Sequence, residues 1–370
     1  MSNNATPAPA SALPFLFGGF AIPAGCRRIF ITAELEPSNS DPRIQPTGFP
    51  DIGPVLYPDP AEKNGLIALI ESEPSMANRL EEVCFENKYE GVLNRQVFAG
   101  LPYLRVETGN GNDAVFRTAS TLDGHRFASD FLARGRANFG NGEQTLAEHI
   151  RTTLHMSQDG STMPIARIPD AFALVFGLDT MSLIHGFQIS NEQISFVGLR
   201  LPRALSASII GLGCERISVP GIKFNVGQVE SESGQAIFQK PRITAKKIEV
   251  RFSIDVGLLK SLRLDTLGAN GTPGQYQAAR VQLLLAISLW KVATFLDLLN
   301  VELSLRTECK LRLKRTEKGQ AIMPTASCEG GTSPTSVAFP FPAVVGGAMA
   351  ERISTANVPA NRSPLTLQFA

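Results

Sequence analysis

The sequence has few of the residues that build metal or disulfide sites. Its five cysteines are odd in number, widely separated and never arranged as a CxxC pair, which argues against a disulfide framework and a zinc site. The four histidines form neither HExxH nor a comparable metal-ligating spacing. We therefore expect no metal and no other cofactor, and free thiols fit a reducing cytoplasm.

Common catalytic motifs are also missing. The chain contains no GxxxxGK[ST] phosphate loop, no GxSxG nucleophile turn and no GxGxxG segment that opens a helix after a strand. This excludes the common nucleotide-binding and hydrolase classes, although an active site assembled from scattered residues stays open. We expect a protein that is not an enzyme.

The chain has almost no net charge, because 35 Lys and Arg balance 34 Asp and Glu to give +1. No global field draws it to nucleic acid or membrane, so such binding must come from local patches. Two basic runs, at 240–251 and 306–318, are candidates.

No segment reads as a signal peptide or a membrane span. The first residues have an apolar patch but no basic residue before it. The longest apolar run, 281–299, is interrupted by Lys291 and Asp297, which would be costly inside a bilayer. We expect a buried core helix there and no membrane partner.

Hydrophobic periodicity predicts two β-α-β units and an α+β fold. The first has strands at 27–35 and 101–107 around a helical region at about 65–87. In the second, strict alternation from Ile248 to Val256 predicts a half-buried strand, followed by a long helix at 275–299 and a further strand. Two such units indicate a ferredoxin-like sheet with one helix layer, a plan shared by many RNA-binding domains.

Three candidate binding groups stand out among the polar residues. In a helix that begins near Pro74, Arg79 lies at the edge of the apolar stripe and Asn78 points away from it, so either they contact a partner or they form a solvated face. At the start of a helix, Arg200 and Arg203 could clamp a phosphate or pair with nearby acids. His125, in the first turn of another helix with Arg126 beside it, could be structural or functional.

Five segments in order resemble one family. They are SMANRLEE (75–82), the HR segment at 119–132, FALVFGLDTMSLIHG (172–186), RLPRALSASIIG (200–211) and LSLRTECKL (303–311). Together they resemble the RAMP-superfamily backbone subunit of type I-U (now I-G) CRISPR Cascade effector complexes. The match spans about 27–315. It departs from the family at Met181, at Ile184 and in the loop 219–230, which is less basic than usual.

This resemblance implies a ferredoxin-like, or RRM-like, palm with an inserted fingers region and a projecting thumb hairpin. The implied division is a flexible arm at 1–24, palm at 25–107, fingers at 108–195, a palm helix at 196–213, the thumb at 214–247, palm again at 248–317, and a partly ordered tail at 318–370.

The resemblance also implies a function. Copies would stack head to tail along the CRISPR guide RNA (crRNA), which pairs with the target DNA strand, as part of an antiviral ribonucleoprotein. Further partners would be the large subunit and the repeat-processing subunit of the complex. With the basic residues noted above, the implied RNA-binding residues are Asn78, Arg79, His125, Arg126, Arg200, Arg203, Lys223, Lys240, Arg242, Lys246 and Lys247.

Two other interpretations remain at the level of sequence. The first is a RAMP-type endoribonuclease that processes CRISPR repeat RNA with His125 as general acid or base. The second is a self-assembling protein that binds no nucleic acid.

Overall fold

The alternation of apolar and polar residues over 248–254 lies within one strand of a mixed α+β fold, seen in a computed structural model of the chain. The structure describes residues 15–17, 19–49, 53–63, 65–109, 111–140, 142–157, 163–191, 195–217, 222–223, 237–238, 242–266, 274–305, 309–330, 336–341, 346–358 and 364–369.

Strands supply most elements of this part of the chain. In order, they are β1 (Phe15–Phe17), β2 (Phe20–Ile22), β3 (Arg28–Pro37), β4 (Gly48–Phe49), β5 (Gly53–Pro54), β6 (Leu56–Pro58), β7 (Leu66–Glu71), β8 (Phe85–Asn87), β9 (Val92–Leu93), β10 (Leu104–Thr108), β11 (Val115–Ala119), β12 (Arg136–Asn138), β13 (Glu143–Thr145), β14 (Phe187–Asn191), β15 (Ser195–Leu201), β16 (Leu205–Ile217), β17 (Ile222–Lys223), β18 (Ile237–Phe238), β19 (Arg242–Asp255), β20 (Leu303–Ser304), β21 (Lys310–Leu313), β22 (Thr325–Glu329), β23 (Val337–Ala338) and β24 (Leu365–Gln368). The helices are α1 (Glu73–Glu82), α2 (Arg95–Phe98), α3 (Asp130–Arg134), α4 (Leu146–Thr153), α5 (Ile168–Leu178), α6 (Ser182–His185), α7 (Val256–Ser261), α8 (Gln277–Val301) and α9 (Gly346–Thr355).

The largest sheet, here called the central sheet, has the strand order β20-β21-β3-β19-β16-β7-β6. All of its pairs are antiparallel, and β22 pairs with the first half of β3 while β21 pairs with the second half. Strands β16 and β19 run side by side from the pair Leu205 and Ile254 to the pair Ile217 and Arg242. This ladder forms the middle of the fold.

Two helices cover one face of the central sheet. Helix α1 packs on β16 and α8 packs on β21, and the two helices contact each other. Phe252 of β19 meets Phe295 of α8 edge to face, with ring centroids 6.0 Å apart. Burial of such side chains is the main stabilising contribution to the layer.

Helix α8 confirms the expected core helix over 281–299. In the described part of the chain it is the only helix long and apolar enough to cross a bilayer, yet 72% of its most apolar window is buried within the protein. Lys291 in its middle has no exposed surface.

A second sheet has the order β11-β10-β24-β12-β13. Strand β10 was expected in the palm as 101–107, but it pairs with β11 and with β24 instead. The reason is a partner near the C-terminus, because Leu104 lies opposite Leu365. Strand β10 therefore belongs to this second sheet and not to the central sheet.

Two expected helices are corrected as well. The helical region at 65–87 is strand β7, helix α1 and strand β8. The palm helix at 196–213 is a pair of strands, β15 and β16. Leu205, Ala207 and Ile209 alternate with half-buried serines in β16, a period of two that the long ladder with β19 favours over a helix.

The chain ends differ from expectation where they are described. Residues 1–14 of the predicted flexible arm lie outside the described residues, but β1 and β2 form a hairpin whose Phe17, Phe20 and Ile22 are buried. The predicted tail supplies β22 to the central sheet, β24 to the second sheet, and α9, which packs on α8. The tail is thus part of both sheets.

Candidate functional site

Predicted site residues from two distant segments meet at one open cavity of about 440 Å³. We call it the arginine cavity. Its wall includes Glu73, His125, Arg126, His185, Arg200 and Arg203. The sequence indicated His125, Arg126, Arg200 and Arg203 separately, and the fold brings them together.

The turn between β15 and β16 presents two of these arginines. Its buried ends are fixed to the core, since Ala204 donates a backbone hydrogen bond of 2.9 Å to Ile184 and accepts one of 2.7 Å from Asp255. Arg200 lies near the end of β15 and Arg203 immediately precedes Ala204, and both arginines are exposed. They share a cavity because a strand turn holds them there, not because a helix begins at Pro202 as expected.

Close approach of this turn depends on Gly186. A Cβ added there would lie 2.6 Å from the carbonyl oxygen of Leu201 and 3.1 Å from the nitrogen of Arg203. Its φ of +79° is also in the left-handed region that favours glycine. The residue after α6 must therefore be small for Arg203 to reach the cavity.

His125 and Arg126 enter the cavity from a tight turn. The carboxylate of Asp123 accepts a hydrogen bond of 2.9 Å from the backbone nitrogen of His125, which holds this turn locally. Phe127 anchors the turn against Phe187, with ring centroids 5.9 Å apart. His125 is exposed, while Arg126 has φ of +45° and is buried.

Arg126 is not the exposed cation that the sequence suggested. Its guanidinium forms an ion pair with Glu81 of α1, and both side chains are about nine-tenths buried. Burial raises the pKa of the Glu81 carboxyl, and the charges of Arg126 and Lys291 oppose that rise. Arg126 therefore joins α1 to the cavity wall.

Further buried polar groups lie behind this wall. The ammonium of Lys291 lies 2.7 Å from Nε2 of His185. Burial, followed by the charge of Lys291, holds the pKa of His185 well below its ordinary value. Asp179 accepts hydrogen bonds from the hydroxyl of Ser182 at 2.6 Å and from the nitrogen of Met181 at 3.0 Å.

Sequence reasoning missed these buried residues as members of the site. Lys291 was noted only as an interruption of an apolar run. A lysine inside a core helix carries a signal nonetheless, because removing an ammonium from water costs several kcal/mol without hydrogen-bonding partners. Its position therefore predicts a polar partner, although the sequence does not say which one.

Asn78 and Arg79 lie elsewhere. Asn78 is exposed, as the helical wheel predicted. The Nε of Arg79 lies 3.2 Å from the carboxylate of Glu71, which is only 2% exposed, so its charge is already engaged. Arg79 lines a separate cavity of about 320 Å³ with Lys88 and Tyr89. Along α1, Arg79 lies about 9 Å from Glu73 of the arginine cavity, at a rise of about 1.5 Å per residue.

The basic run after the expected thumb does not share one face. Lys246 pairs with Glu62 at 2.5 Å, and Lys247 pairs with Glu249 at 2.6 Å. Since neighbouring residues of a strand point to opposite faces, these two lysines do not line the same side of β19, and their binding of RNA stays a prediction. Arg242 begins β19 opposite Ile217, where it is half-buried.

The segment predicted to be the thumb, 214–247, is described only in part. Lys223 lies in the short strand β17, opposite Ile237 of β18. Lys240 lies outside the described residues. The antiparallel pairs β16–β19 and β17–β18 are those of a hairpin that leaves the central sheet at Ile217 and returns at Arg242.

Metal-binding groups are not found among the described residues, which contain no cluster of three His, Cys, Asp or Glu able to hold an ion. None of the five cysteines forms a disulfide, and all five are buried. Burial raises the pKa of the Cys84 thiol to about 11. Cys84 is therefore protonated at neutral pH and packs as an apolar side chain.

Comparison with known proteins identifies the family. No curated protein matches the chain. The family model for CRISPR-associated protein GSU0053 matches residues 29–216, just over half of the chain. This match runs from β3 to β16 and contains Glu81 and every residue named above on the wall of the arginine cavity. The chain therefore belongs to the CRISPR-associated protein GSU0053 family, a RAMP-type family of CRISPR-associated subunits.

Proposed function

We propose that this protein is a non-catalytic backbone subunit that binds guide RNA in a type I-G Cascade complex. The observation that carries the proposal is the arginine cavity, where Arg200 and Arg203 are exposed beside His125. Phosphate oxygens are the natural ligands of exposed guanidinium groups. Membership of a CRISPR-associated family makes the nucleic acid of such a complex the partner to consider first.

Contacts of this kind fit a subunit that must accept any spacer sequence. Arginines that bind phosphates fix register and orientation but carry no sequence information. Base pairing between the guide and the target DNA strand supplies the sequence reading instead. The subunit then needs only a cationic surface that follows the RNA backbone.

The strand order supports a ferredoxin-like palm at the centre of the protein. Strands β3, β16, β19 and β21, with α1 after the first and α8 after the third, follow the β-α-β-β-α-β sequence of elements. In space, β21 lies beside β3, β3 beside β19, and β19 beside β16, which is the order of a split β-α-β sheet. The β16–β19 hairpin then corresponds to the thumb.

The remaining partners follow from this proposal. Copies of the chain would associate head to tail along one guide in the cytoplasm, and RNA length would limit their number because such contacts do not close on themselves. The large subunit and the repeat-processing subunit would complete the complex.

The proposal is tested by removing both exposed arginines of the cavity. We expect Arg200→Ala/Arg203→Ala to weaken binding of a guide-length RNA and to lower the slope of log affinity against log salt by about 1.4, or about 0.7 per phosphate contact. Arg117→Ala/Arg136→Ala is the matched control, because it removes two exposed arginines of the second sheet. Fluorescence anisotropy at several salt concentrations gives both quantities.

The same material separates the rival functions. Cleavage of a CRISPR repeat RNA that His125→Ala abolishes would replace the proposal by an endoribonuclease. Absence of RNA binding by the wild-type chain at low salt would support a self-assembling protein without nucleic acid.

A further inference from the structure

Two side chains that line the arginine cavity each have a buried nitrogen for which no described residue supplies an acceptor. One is Nδ1 of His185 and the other is Nε of Arg126. Both side chains are more than nine-tenths buried by residue, at 1% and 8% exposure. An unpaired buried donor costs about 1–3 kcal/mol, so two of them on one wall need an explanation.

The proton on His185 can be located from its neighbour. The Lys291 ammonium, 2.7 Å from Nε2, can only donate hydrogen bonds. Nε2 must therefore be the acceptor, and the remaining proton of the neutral ring lies on Nδ1. His185 thus contributes an uncharged N–H donor to the wall.

The nitrogen donors of the Arg126 guanidinium differ in their partners. One terminal nitrogen bonds the carboxylate of Glu81, which neutralises most of its charge, while Nε–H is left without an acceptor. The left-handed backbone at Arg126, with φ of +45°, keeps its guanidinium turned inward to that carboxylate. Such strain is uncommon for a residue other than glycine and often marks a functional site.

The charges around the cavity limit the ligand. Arg200 and Arg203 contribute two positive charges, Glu73 contributes one negative charge, and the pair of Arg126 with Glu81 contributes none. Behind the wall, the charges of Lys291 and Asp179 oppose each other. The excess is about one positive charge. A ligand that fits must carry about one negative charge and present several acceptor oxygens without donors of its own.

We propose that the arginine cavity binds one phosphodiester group, with Nδ1–H of His185 and Nε–H of Arg126 as neutral donors at the inner wall and Arg200 and Arg203 supplying charge at the mouth. A phosphodiester carries one negative charge and only acceptor oxygens, as the site requires. This deepens the proposed function, on which it rests, by naming which group of the RNA enters the cavity. A nucleobase fits less well, because Phe187 on this wall is only 5% exposed and His185 only 1%, which leaves His125 as the exposed ring on which a base could stack.

Nuclear magnetic resonance of the whole protein labelled with ¹⁵N in histidine tests the proposal directly. The chain has only four histidines, and single His→Gln variants assign their rings. We expect His185 to carry its proton on Nδ1. Dimethyl phosphate, a monoanionic diester, should shift the ring signals of His185 and His125, and leave those of His149 and His155, which lie outside this wall, unchanged.

Variants then separate a built site from general anion binding. Arg200→Ala/Arg203→Ala should abolish the shifts, and Arg117→Ala/Arg136→Ala should preserve them. Inorganic phosphate at pH 8, where it is mostly dianionic, is expected to bind more weakly than the diester at equal ionic strength. A proton on Nε2 of His185, shifts that persist in Arg200→Ala/Arg203→Ala, or stronger binding of inorganic phosphate would overturn the proposal.

Failure of this inference is distinguishable from failure of the proposed function. RNA affinity that falls in Arg200→Ala/Arg203→Ala while dimethyl phosphate shifts no histidine would leave RNA binding in place and remove the diester site. Histidine shifts on addition of dimethyl phosphate to a protein that does not bind RNA would support the diester site and overturn the proposed function.

Discussion

The ammonium of Lys291 and Nε2 of His185 are 2.7 Å apart in the interior, with neither side chain more than 1% exposed. The contact joins the centre of α8 to the end of α6, 106 residues earlier in the chain. It fixes the imidazole in one tautomer and places a buried charge next to the wall of the arginine cavity. The core helix thus takes part in the geometry of the site.

Replacing Lys291 should strongly destabilise the folded protein. We expect Lys291→Ala to lower the free energy of unfolding by about 3–5 kcal/mol, because a buried hydrogen-bonded group is lost and a cavity is left behind. Ser288→Ala is the control on the same helix, since Ser288 only donates to the carbonyl of Leu284 and should cost much less. Urea unfolding followed by circular dichroism measures both, and equal costs would contradict a special role for Lys291.

Arg79 should behave differently from Asn78. On sequence grounds its substitution leaves stability nearly unchanged, but the structure pairs it with the buried Glu71. We now expect Arg79→Ala to cost about 1–3 kcal/mol because it leaves that carboxylate short of a partner, while Asn78→Ala costs little. A double-mutant cycle with Glu71→Gln should show coupling, and strictly additive melting shifts would argue against the pair.

Single substitutions in the basic run should also differ from one another. Lys246 and Lys247 point to opposite faces of β19, so one RNA path can meet only one of them. We expect Lys246→Ala and Lys247→Ala to change the salt slope of RNA binding unequally, with one variant losing about 0.7 and the other almost nothing. Equal losses in the two titrations would mean that RNA reaches both faces.

Stability at low pH should depend on Glu249. Burial disfavours its ionisation, but hydrogen bonds from Lys247 and Arg251 outweigh burial and hold its pKa below the ordinary 4.5. A carboxyl with a lowered pKa stabilises the fold above its unfolded-state pKa, and this contribution is lost as pH falls through the folded-state value. Melting temperature should therefore fall less between pH 5 and pH 3 (about the range of that titration) in Glu249→Gln than in the wild type. Parallel curves for the two proteins would show that the ion pairs contribute no stability.

The sequence predicts the local chemistry of the site better than its assembly. The sequence is enough to recognise the candidate cations His125, Arg126, Arg200 and Arg203. That they lie in one cavity depends on contacts between segments about 75 residues apart in sequence, which no local pattern encodes. The buried state of Arg126 was missed for the same reason, since Glu81 lies 45 residues away.

The errors in the fold have a similar origin. Ala204, Leu205 and Ala207 after Pro202 favour a helix locally, but β19 pairs with this segment along its whole length and overrides that preference. Strand β10 was assigned to the palm because one of its two neighbours in the sheet, β24, is near the other end of the chain. The long helix α8 and the alternating strand β19 were predicted well because each carries its periodicity within one segment.

Gly186, which allows the β15–β16 turn to approach α6 closely, links the fold most directly to the proposed function. In Gly186→Ala, the added Cβ would lie 2.6 Å from the Leu201 carbonyl oxygen in a backbone with φ of +79°, so the β15–β16 turn must move away from α6. We expect both a lower melting temperature and weaker RNA binding, because Arg203 moves with the turn. Gly135→Ala is a steric control, since its Cβ would meet Leu367 of the second sheet at 2.7 Å and should lower stability without a matching loss of RNA affinity. If the two variants lose RNA affinity in proportion to their loss of stability, Gly186 is needed only for folding, and if Gly186→Ala loses more, it positions Arg203 for the ligand.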